Sequence, residues 1–415
     1  MDFSLNEEQV ILLEGFKRFL ESDIRPIADE YRDKFIPKDM ALDIQKRLIP
    51  FGVVNGMVSE SDGGMDLDQV TYGLLMHELA RVSPDIAVTT QIYGITTKLM
   101  SAAPKHLKAK YQMDLMDCNT AASVGLSEPD GGSDMAGVKL RAKKDGDNYI
   151  LNGEKTWNSS GGYSDFIFVL ANFSDGSSDQ GLGLILVERN HGYQTKDLEK
   201  TALNSQSTAQ VFFNDVKVPA ENVVVSAPNA MKSMLGTLAM SRPIVTMMAL
   251  GIAQAALDEA LSFAKDRKQF GGPIAGKQMI QDKLATMATK IEAGKLMALK
   301  ALDQIDRGAP DQIHVAMTKW YGTELACEVV YDAVQIHGAS GIIREYLVEY
   351  LNRAVRVFPF TEGTTEIQKL RELRDNQLLQ TNSGLAFMST FNDIYYSFSP
   401  TIADYERENP MFKEA

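Results

Sequence analysis

The chain has 415 residues, of which 44% are hydrophobic and 23% are charged. A chain of this length and composition is expected to form roughly two or three domains with buried cores. The formal net charge is −13, from 42 Lys and Arg against 55 Asp and Glu, which disfavours nucleic acid as a partner. Two cysteines and five scattered histidines predict neither a disulfide framework nor a metal site. Because no basic leader opens the chain and no apolar run reaches the length of a membrane span, we expect a cytoplasmic protein without membrane contact.

Residues 1–118 are expected to form a helical domain. Ser4 and Glu7 have the spacing of a capping box at the start of a first helix. A second stretch with helical period runs from Leu67 to Leu79. Ser83-Pro84 predicts the start of a third helix, because serine caps helices and proline is tolerated in the first turn.

Residues 119–228 show a period of about 2, which is typical of strands. Short strands separated by turns, with no helices between them, predict an antiparallel β domain. The segment contains no G-x-G-x-x-G between a strand and a helix, so a Rossmann dinucleotide site is not expected. The predicted strands are Tyr149–Leu151, Phe166–Leu170, Leu182–Val187, Val211–Phe213 and Val216–Val218.

The helical period returns in residues 229–385. Predicted helices run from about Asn229 to Gln269, from Ile280 to Gln304 and from His314 to Ile336. Residues 386–415 are interpreted as an appended tail. The predicted fold class is therefore α+β and multidomain, in the order helical domain, β domain, helical domain.

Two segments of the predicted β domain contain candidate ligand-binding residues. Gly125–Asp134 is rich in glycine and hydroxyl groups, so its backbone N–H groups, Ser127 and Ser133 can face a ligand; the alternative is a surface loop. Gly153–Gly162 contains Trp157, one of two tryptophans in the chain. A flat aromatic ring beside small hydroxyl groups suits a flavin, and the alternative is a tryptophan that covers the end of a β sandwich.

Two helix ends in the C-terminal region suggest an anion site. Arg267 offers a fork-shaped guanidinium to a pyrophosphate, although a cation at a helix C-terminus is also explained by the helix dipole. The segment Gln335–Gly341 has small residues that permit close backbone approach. His337 within it is more often a structural histidine than a base.

Glu362 is the candidate general base. A carboxylate flanked by Phe358 and Phe360 is expected to be desolvated, which raises its pKa toward the range that a base needs near neutral pH. The alternative is an acid that caps the following helix. That alternative explains Glu366 better than it explains Glu362.

In this order and at these spacings, the four segments resemble the acyl-CoA dehydrogenase family over about residues 1–380. The resemblance implies an N-terminal helical domain, a middle β domain and a C-terminal four-helix bundle, usually assembled as a homotetramer with FAD. It implies Glu362 as the catalytic base. The flavin positions that it implies are Leu126, Ser127, Ser133, Trp157, Ser159, Arg267, Gln335, Gly338, Ala339, Thr364 and Glu366. Arg267 and Gln335–Ala339 are expected to reach the FAD of a neighbouring subunit. The implied acyl-CoA positions are Ser133, Arg242, Gly363 and Tyr93.

The activity implied by the resemblance is α,β-dehydrogenation of an acyl-CoA in fatty or carboxylic acid degradation, with electrons passed to an electron-transferring flavoprotein. Two departures from the family are Thr361, where the family has tyrosine, and Ser127, where it usually has threonine. Ser241 stands where some members carry their base and cannot act as a carboxylate. The segment Asp85–Thr97 lacks the arginine of glutaryl-type members, which disfavours decarboxylation of a dicarboxylyl-CoA.

Other interpretations remain open at this point. The same site can run in reverse as an enoyl-CoA reductase. A non-enzymatic, nucleic-acid-binding relative is opposed by the negative charge, and a tetramer with a vestigial site is opposed by the retained Glu362, Arg267 and Arg242. Tyr93 is predicted to form the floor of the acyl pocket and to favour short, cyclic or partly polar acyl groups; the alternative is that Tyr93 faces a neighbouring helix.

Overall fold

The computed structural model describes residues 4–175, 178–227 and 229–375. Within these residues the predicted order of helical, β and helical regions is confirmed. The last helix of the first helical region ends at Met116, and the first helix after the sheet begins at Ala230. The tail predicted for residues 386–415 lies outside the described residues.

Helix α1 (Glu7–Phe19) begins with a capping box, but at a later position than predicted. The Asn6 side chain accepts from the Gln9 N–H at 2.8 Å, and the Gln9 side chain accepts from the Asn6 N–H at 3.1 Å, so Asn6 takes the role expected of Ser4. The helix that was predicted to start at Ser83-Pro84 does so, since the Ser83 hydroxyl accepts from the Ile86 N–H at 3.3 Å. The other helices of this region are α2 (Arg25–Glu30), α3 (Lys38–Leu48), α4 (Gln69–Val82), α5 (Pro84–Ser101) and α6 (Lys105–Met116).

The middle region forms one sheet in the order β6-β7-β3-β2-β4-β5-β8, with β1 added beside β4. Its strands are β1 (Ala122–Gly125), β2 (Arg141–Asp145), β3 (Asn148–Ser159), β4 (Phe166–Ser174), β5 (Asp179–Glu188), β6 (Gln194–Asp197), β7 (Thr208–Pro219) and β8 (Val223–Val225). Most pairs are antiparallel as predicted, but β4 pairs in parallel with both β1 and β2. The predicted strands Val211–Phe213 and Val216–Val218 are parts of β7.

Strand β4 shows how the sheet joins the helical regions. Phe166, Phe168 and Leu170 belong to the large core that the sheet shares with the helices. Ile167 and Val169 belong to a second core on the other side of the sheet. Successive side chains of a strand point to opposite faces, so this strand is buried on both sides and reads as a continuous apolar run.

The C-terminal region is built around α7, which packs against α8, α9 and, from the first region, α4. Its elements are α7 (Ala230–Asp266), a hairpin of β9 (Lys268–Gln269) and β10 (Gly272–Pro273), α8 (Gln278–Asp306), α9 (Gln312–His337), α10 (Leu347–Val355) and α11 (Thr365–Asp375).

The stretch Ser233–Asp266 of α7 is long and apolar enough, by length and composition, to cross a membrane. This corrects the expectation that no apolar run reaches such a length. Most of the stretch is buried inside the fold, and Ile244, Ala249 and Leu250 are fully buried. The apolar character of α7 is therefore explained by its place at the centre of the core.

Candidate active site

Glu362 lies in the sharp turn between α10 and α11. Its backbone is left-handed, with φ of 59°, and the next residue, Gly363, has φ of 95°. A Cβ atom on Gly363 would lie 2.6 Å from Nε2 of Gln368. A left-handed glutamate is uncommon and strained, so the surrounding protein must hold this turn in place.

Two neighbouring side chains from the interior of α7 hold Glu362. The Ser241 hydroxyl donates to the Glu362 carboxylate at 2.8 Å. Nε of Arg242 donates to the Glu362 backbone carbonyl at 3.0 Å. Ser241 and Arg242 are themselves buried, so their positions are set by the packing of α7. The carboxylate is thus directed by a neutral donor while its backbone is fixed by a cation.

The pKa of Glu362 is raised, and the cause is burial of the carboxylate in the protein. The hydrogen bond from Ser241 and the cationic Arg242 and Lys319 act in the opposite direction. The aromatic cover predicted from the sequence is only partly present, since Phe358 is buried but Phe360 is 56% exposed. A carboxylate with a raised pKa is suited to accept a proton near neutral pH.

A second feature is formed by the loop between β1 and β2 and by the last residues of β3. Trp157 is 66% exposed and has a left-handed backbone, with φ of 61°, where the register between β3 and β7 shifts. Its neighbour Thr156 donates its N–H to the Ser127 carbonyl at 2.9 Å. The strand therefore places Trp157 next to a residue that is bonded to the loop containing Leu126 and Ser127.

A buried ion pair between Lys155 and Glu128 anchors this loop. Nζ of Lys155 donates to the Glu128 carboxylate at 2.8 Å and to the Leu126 carbonyl at 2.9 Å. Glu128 also accepts the backbone N–H groups of Lys139 and Leu140, at 2.7 and 2.9 Å. Burial lowers the pKa of Lys155 to about 8. The loop that contains Leu126 and Glu128 is thus held against strand β3 by specific contacts.

A third feature is the end of the helical bundle where α7 and α9 both finish. The Phe263 ring stacks on the His337 ring with centroids 4.3 Å apart, and Nδ1 of His337 lies 2.8 Å from the Ala333 carbonyl. His337 is therefore a structural residue, as expected. Arg267, at the end of α7, is exposed, and its guanidinium makes no hydrogen bond or ion pair within the described residues.

Sequence models of three domains match almost the whole described chain. They are the acyl-CoA dehydrogenase N-terminal domain over residues 6–118, the middle domain over residues 123–216 and the C-terminal domain over residues 231–374. The chain belongs to the acyl-CoA dehydrogenase family. Enzymes of this family are FAD-dependent oxidoreductases, and so is this one.

Named relatives agree with this assignment. A 3-(aryl)acrylate reductase from Clostridium sporogenes is 33% identical over 369 residues, which cover 88% of this chain and 97% of the relative. The structure of butyryl-CoA dehydrogenase from Megasphaera elsdenii has a TM-score of 0.83 at 30% identity, over 90% of this chain and 98% of that one. A structure described as the electron transferring flavoprotein of Acidaminococcus fermentans has a TM-score of 0.83 at 29% identity, over 90% and 99%.

The residues of this acyl-CoA dehydrogenase fit a bound FAD at the two exposed features. An indole that is largely uncovered within a polar stretch suits the flavin ring, and the unpaired guanidinium of Arg267 suits a pyrophosphate. Ser133 is exposed on the anchored loop, and Ser159 is half-buried at the end of β3. Gln335, Gly338 and Ala339 are exposed at the same bundle end as Arg267.

The remaining predicted residues have visible structural roles. The Thr364 hydroxyl accepts from the Ile367 N–H at 3.3 Å and caps α11. Glu366 is exposed in the first turn of α11, and hydrogen bonds from its own backbone N–H and from Thr364 lower its pKa. Tyr93 is fully buried, and its hydroxyl donates to the Thr120 carbonyl at 3.2 Å. Thr120 lies in the loop between α6 and β1, so this contact is not with a neighbouring helix. The place of Tyr93 in the acyl pocket stays a prediction.

The sequence analysis missed three residues that shape the site. Glu128 and Lys155 are separated by 27 positions, and their pairing has no local signal. Lys319 lies on α9 and donates to the carbonyls of Pro359 and Gly363. Its signal was available in part, because Lys319 is the single lysine among residues 315–326, several of which are buried, and a buried lysine needs a specific partner.

Proposed function

We propose that this enzyme removes hydrogen from the α and β carbons of an acyl-CoA thioester, with Glu362 as the base that takes the α-proton. The observation that carries the proposal is the oriented carboxylate: half-buried, with a raised pKa, and held by the Ser241 hydroxyl at 2.8 Å. Its deprotonated form accepts the α-proton while the β-hydrogen leaves as hydride, and a trans-2-enoyl-CoA forms.

An α-proton is acidic enough only when the thioester carbonyl is polarised. The backbone N–H groups of Glu362 and Gly363 make no hydrogen bond within the described residues, so either is free to donate to that carbonyl. Arg242 has a buried Nη1 atom without a partner in the described part of the chain, and burial lowers its pKa to about 10. It remains a cation at neutral pH, which suits the predicted contact with acyl-CoA.

A bound FAD would supply the acceptor for the hydride that leaves the β carbon. Leu126, Ser127, Ser133, Trp157 and Ser159 would hold it from one subunit. Arg267 and the Gln335–Ala339 segment would reach it from a second subunit, as the exposed bundle end allows. The proposal therefore includes a homotetramer, an electron-transferring flavoprotein as the acceptor of the electrons, and a cytoplasmic location.

The reductive direction is the second candidate. The similarity to a reductase from Clostridium sporogenes supports it, because the same base in its protonated form can return a proton to the α carbon. The two directions use identical residues. They differ in the potential of the flavin and in the partner that exchanges electrons with it.

The test compares Glu362→Gln with wild type and with the matched control Glu345→Gln, an exposed glutamate outside the site. A panel of acyl-CoAs is assayed with ferrocenium as acceptor, and enoyl-CoAs are assayed with a reduced dye. Glutamine cannot accept the proton, so we expect a loss of about 10²–10⁴-fold in rate in the Glu362 variant. Acyl-CoA binding, measured by calorimetry, should be retained. A Glu362→Gln enzyme that keeps more than a tenth (~10%) of the wild-type rate would show that another group is the base.

A further inference from the structure

Lys319 is a lysine buried inside the protein, on the face of α9 that meets the base-containing turn. Its side chain is fully buried. Nζ donates to the Pro359 carbonyl at 2.7 Å and to the Gly363 carbonyl at 2.8 Å. No carboxylate among the described residues lies within ion-pair distance of it. A buried ammonium is costly unless its hydrogen bonds are satisfied, so these two carbonyls are what retain it here.

The two carbonyls lie on either side of Glu362, and the carbonyl of Glu362 itself is also held. Nε of Arg242 donates to it at 3.0 Å, and Nε2 of Gln368 at 3.3 Å. The carbonyl groups at three positions of the turn therefore all accept hydrogen bonds from buried side chains. In a trans peptide the N–H points opposite to the C=O, so the Gly363 N–H points away from Arg242.

The turn needs such restraint because of its backbone conformation. Glu362 and Gly363 are both left-handed, and a non-glycine residue in that region costs of the order of 1–3 kcal/mol. Without donors to its carbonyls, the turn can relax and withdraw the carboxylate from the Ser241 hydroxyl. A misplacement of about 1 Å in a reacting group can lower a rate by about 10²-fold.

We propose that Lys319 is a positioning residue for proton abstraction: its ammonium fixes the turn at residues 359–363 by donating to the carbonyls of Pro359 and Gly363. The inference rests on the proposed function, because it takes Glu362 as the base. Lys319 acts through the turn and touches no reacting atom.

The charges around Glu362 and Lys319 decide the sign of the expected pH effect. Glu362 is influenced by Arg242 on α7 and Lys319 on α9, and both lower its pKa against the larger effect of burial. Burial lowers the pKa of Lys319 to about 8. The charged groups that act on Lys319 are Glu362, Arg242, Glu324 and Glu366. Removing the ammonium must therefore raise the pKa of Glu362 further, and the rate should begin to fall at a higher pH on acidification.

The experiment compares Lys319→Met, which keeps the length of the side chain without its charge, with Lys319→Arg and with Lys300→Met. Lys300 is an exposed lysine on α8 and serves as the matched control. The main readout is exchange of the substrate α-proton for deuterium without any electron acceptor, followed by mass spectrometry from pH 5 to 10. Flavin content and melting temperature are measured on the same samples.

We expect Lys319→Met to exchange about 10²-fold more slowly, with the acidic side of its pH profile moved to higher pH. Lys319→Arg should keep the wild-type acidic side, since it keeps the charge, and Lys300→Met should match wild type throughout. A Lys319→Met enzyme with wild-type exchange and an unmoved profile overturns the inference. If that variant does not fold, Lys319→Gln decides, since glutamine keeps a hydrogen-bond donor without the charge: wild-type exchange with an unmoved acidic side in that variant overturns the inference. Wild type without exchange or turnover on any acyl-CoA overturns the proposed function itself.

Discussion

The buried pair of Lys155 and Glu128 gives the sharpest prediction about the loop beside Trp157. Glu128→Ala leaves the Lys155 ammonium, which is 0% exposed, with the Leu126 carbonyl as its remaining acceptor. The backbone N–H groups of Lys139 and Leu140 lose their acceptor as well. Removing one partner of a buried ion pair costs about 3–5 kcal/mol, because the other charge stays buried without compensation. We expect the free energy of unfolding to fall by that amount.

Chemical denaturation at one fixed protein concentration measures the loss, and the FAD content of the purified variants measures its effect on the loop. The control is Asp130→Ala in the same loop, whose ion pair with Lys139 has side chains 74% and 71% exposed. That change should cost no more than about 0.5 kcal/mol.

The double variant Glu128→Ala/Lys155→Met separates the charge from the shape of the site. Replacing a whole buried pair by apolar groups is often neutral, so the second change should restore at least half of the lost stability. The reasoning is refuted if Glu128→Ala costs less than about 1 kcal/mol, or if Lys155→Met restores nothing.

Two further predictions concern charged residues elsewhere. Arg353 donates to both oxygens of the Asp33 carboxylate, at 2.8 and 2.7 Å, so Arg353→Met should lower the free energy of unfolding at neutral pH by about 1.5–3 kcal/mol. The hydrogen bond from Arg353 lowers the pKa of Asp33. The stabilisation by this pair is therefore present above about pH 4 and is lost as the pH falls through the pKa of Asp33 in the folded protein. The free energy of unfolding in urea should depend less on acidic pH in the variant than in wild type. Arg267→Ala should weaken FAD retention at least ~10-fold in equilibrium dialysis, since a charged contact to phosphate contributes about 1.5–3 kcal/mol. The adjacent Lys268 is also exposed, and Lys268→Ala should retain FAD. Equal FAD content in the two variants would contradict the role given to Arg267.

The order of the regions was predictable because periodicity is local. A helix shows its 3.6-residue repeat and its caps within a few neighbouring residues, and the start of α5 at Ser83-Pro84 was read correctly for that reason. The first capping box was misplaced because Ser4 and Asn6 offer similar side chains. Only the hydrogen bond to Gln9 distinguishes them.

Strand pairing was harder to predict, because partners are chosen by the fold. Strand β4 pairs in parallel with β1 and β2. The apolar sequence of β4 does not indicate which strands are its partners. Short strands such as β6 and β8 were missed, since each depends on a partner that is distant in sequence.

By itself the sequence determined the helical, β, helical order, the family resemblance and Glu362 as the candidate base, since each follows from residue types at fixed local spacing. Only the tertiary structure decided what surrounds that base. Ser241 reaches the carboxylate across 121 positions of the chain, and Lys319 reaches the Gly363 carbonyl across 44. Contacts over such separations are set by the packing of α7 and α9. They cannot be predicted from the spacing of neighbouring residues. The pKa of Glu362 is likewise a property of burial, which exists only once the chain has folded.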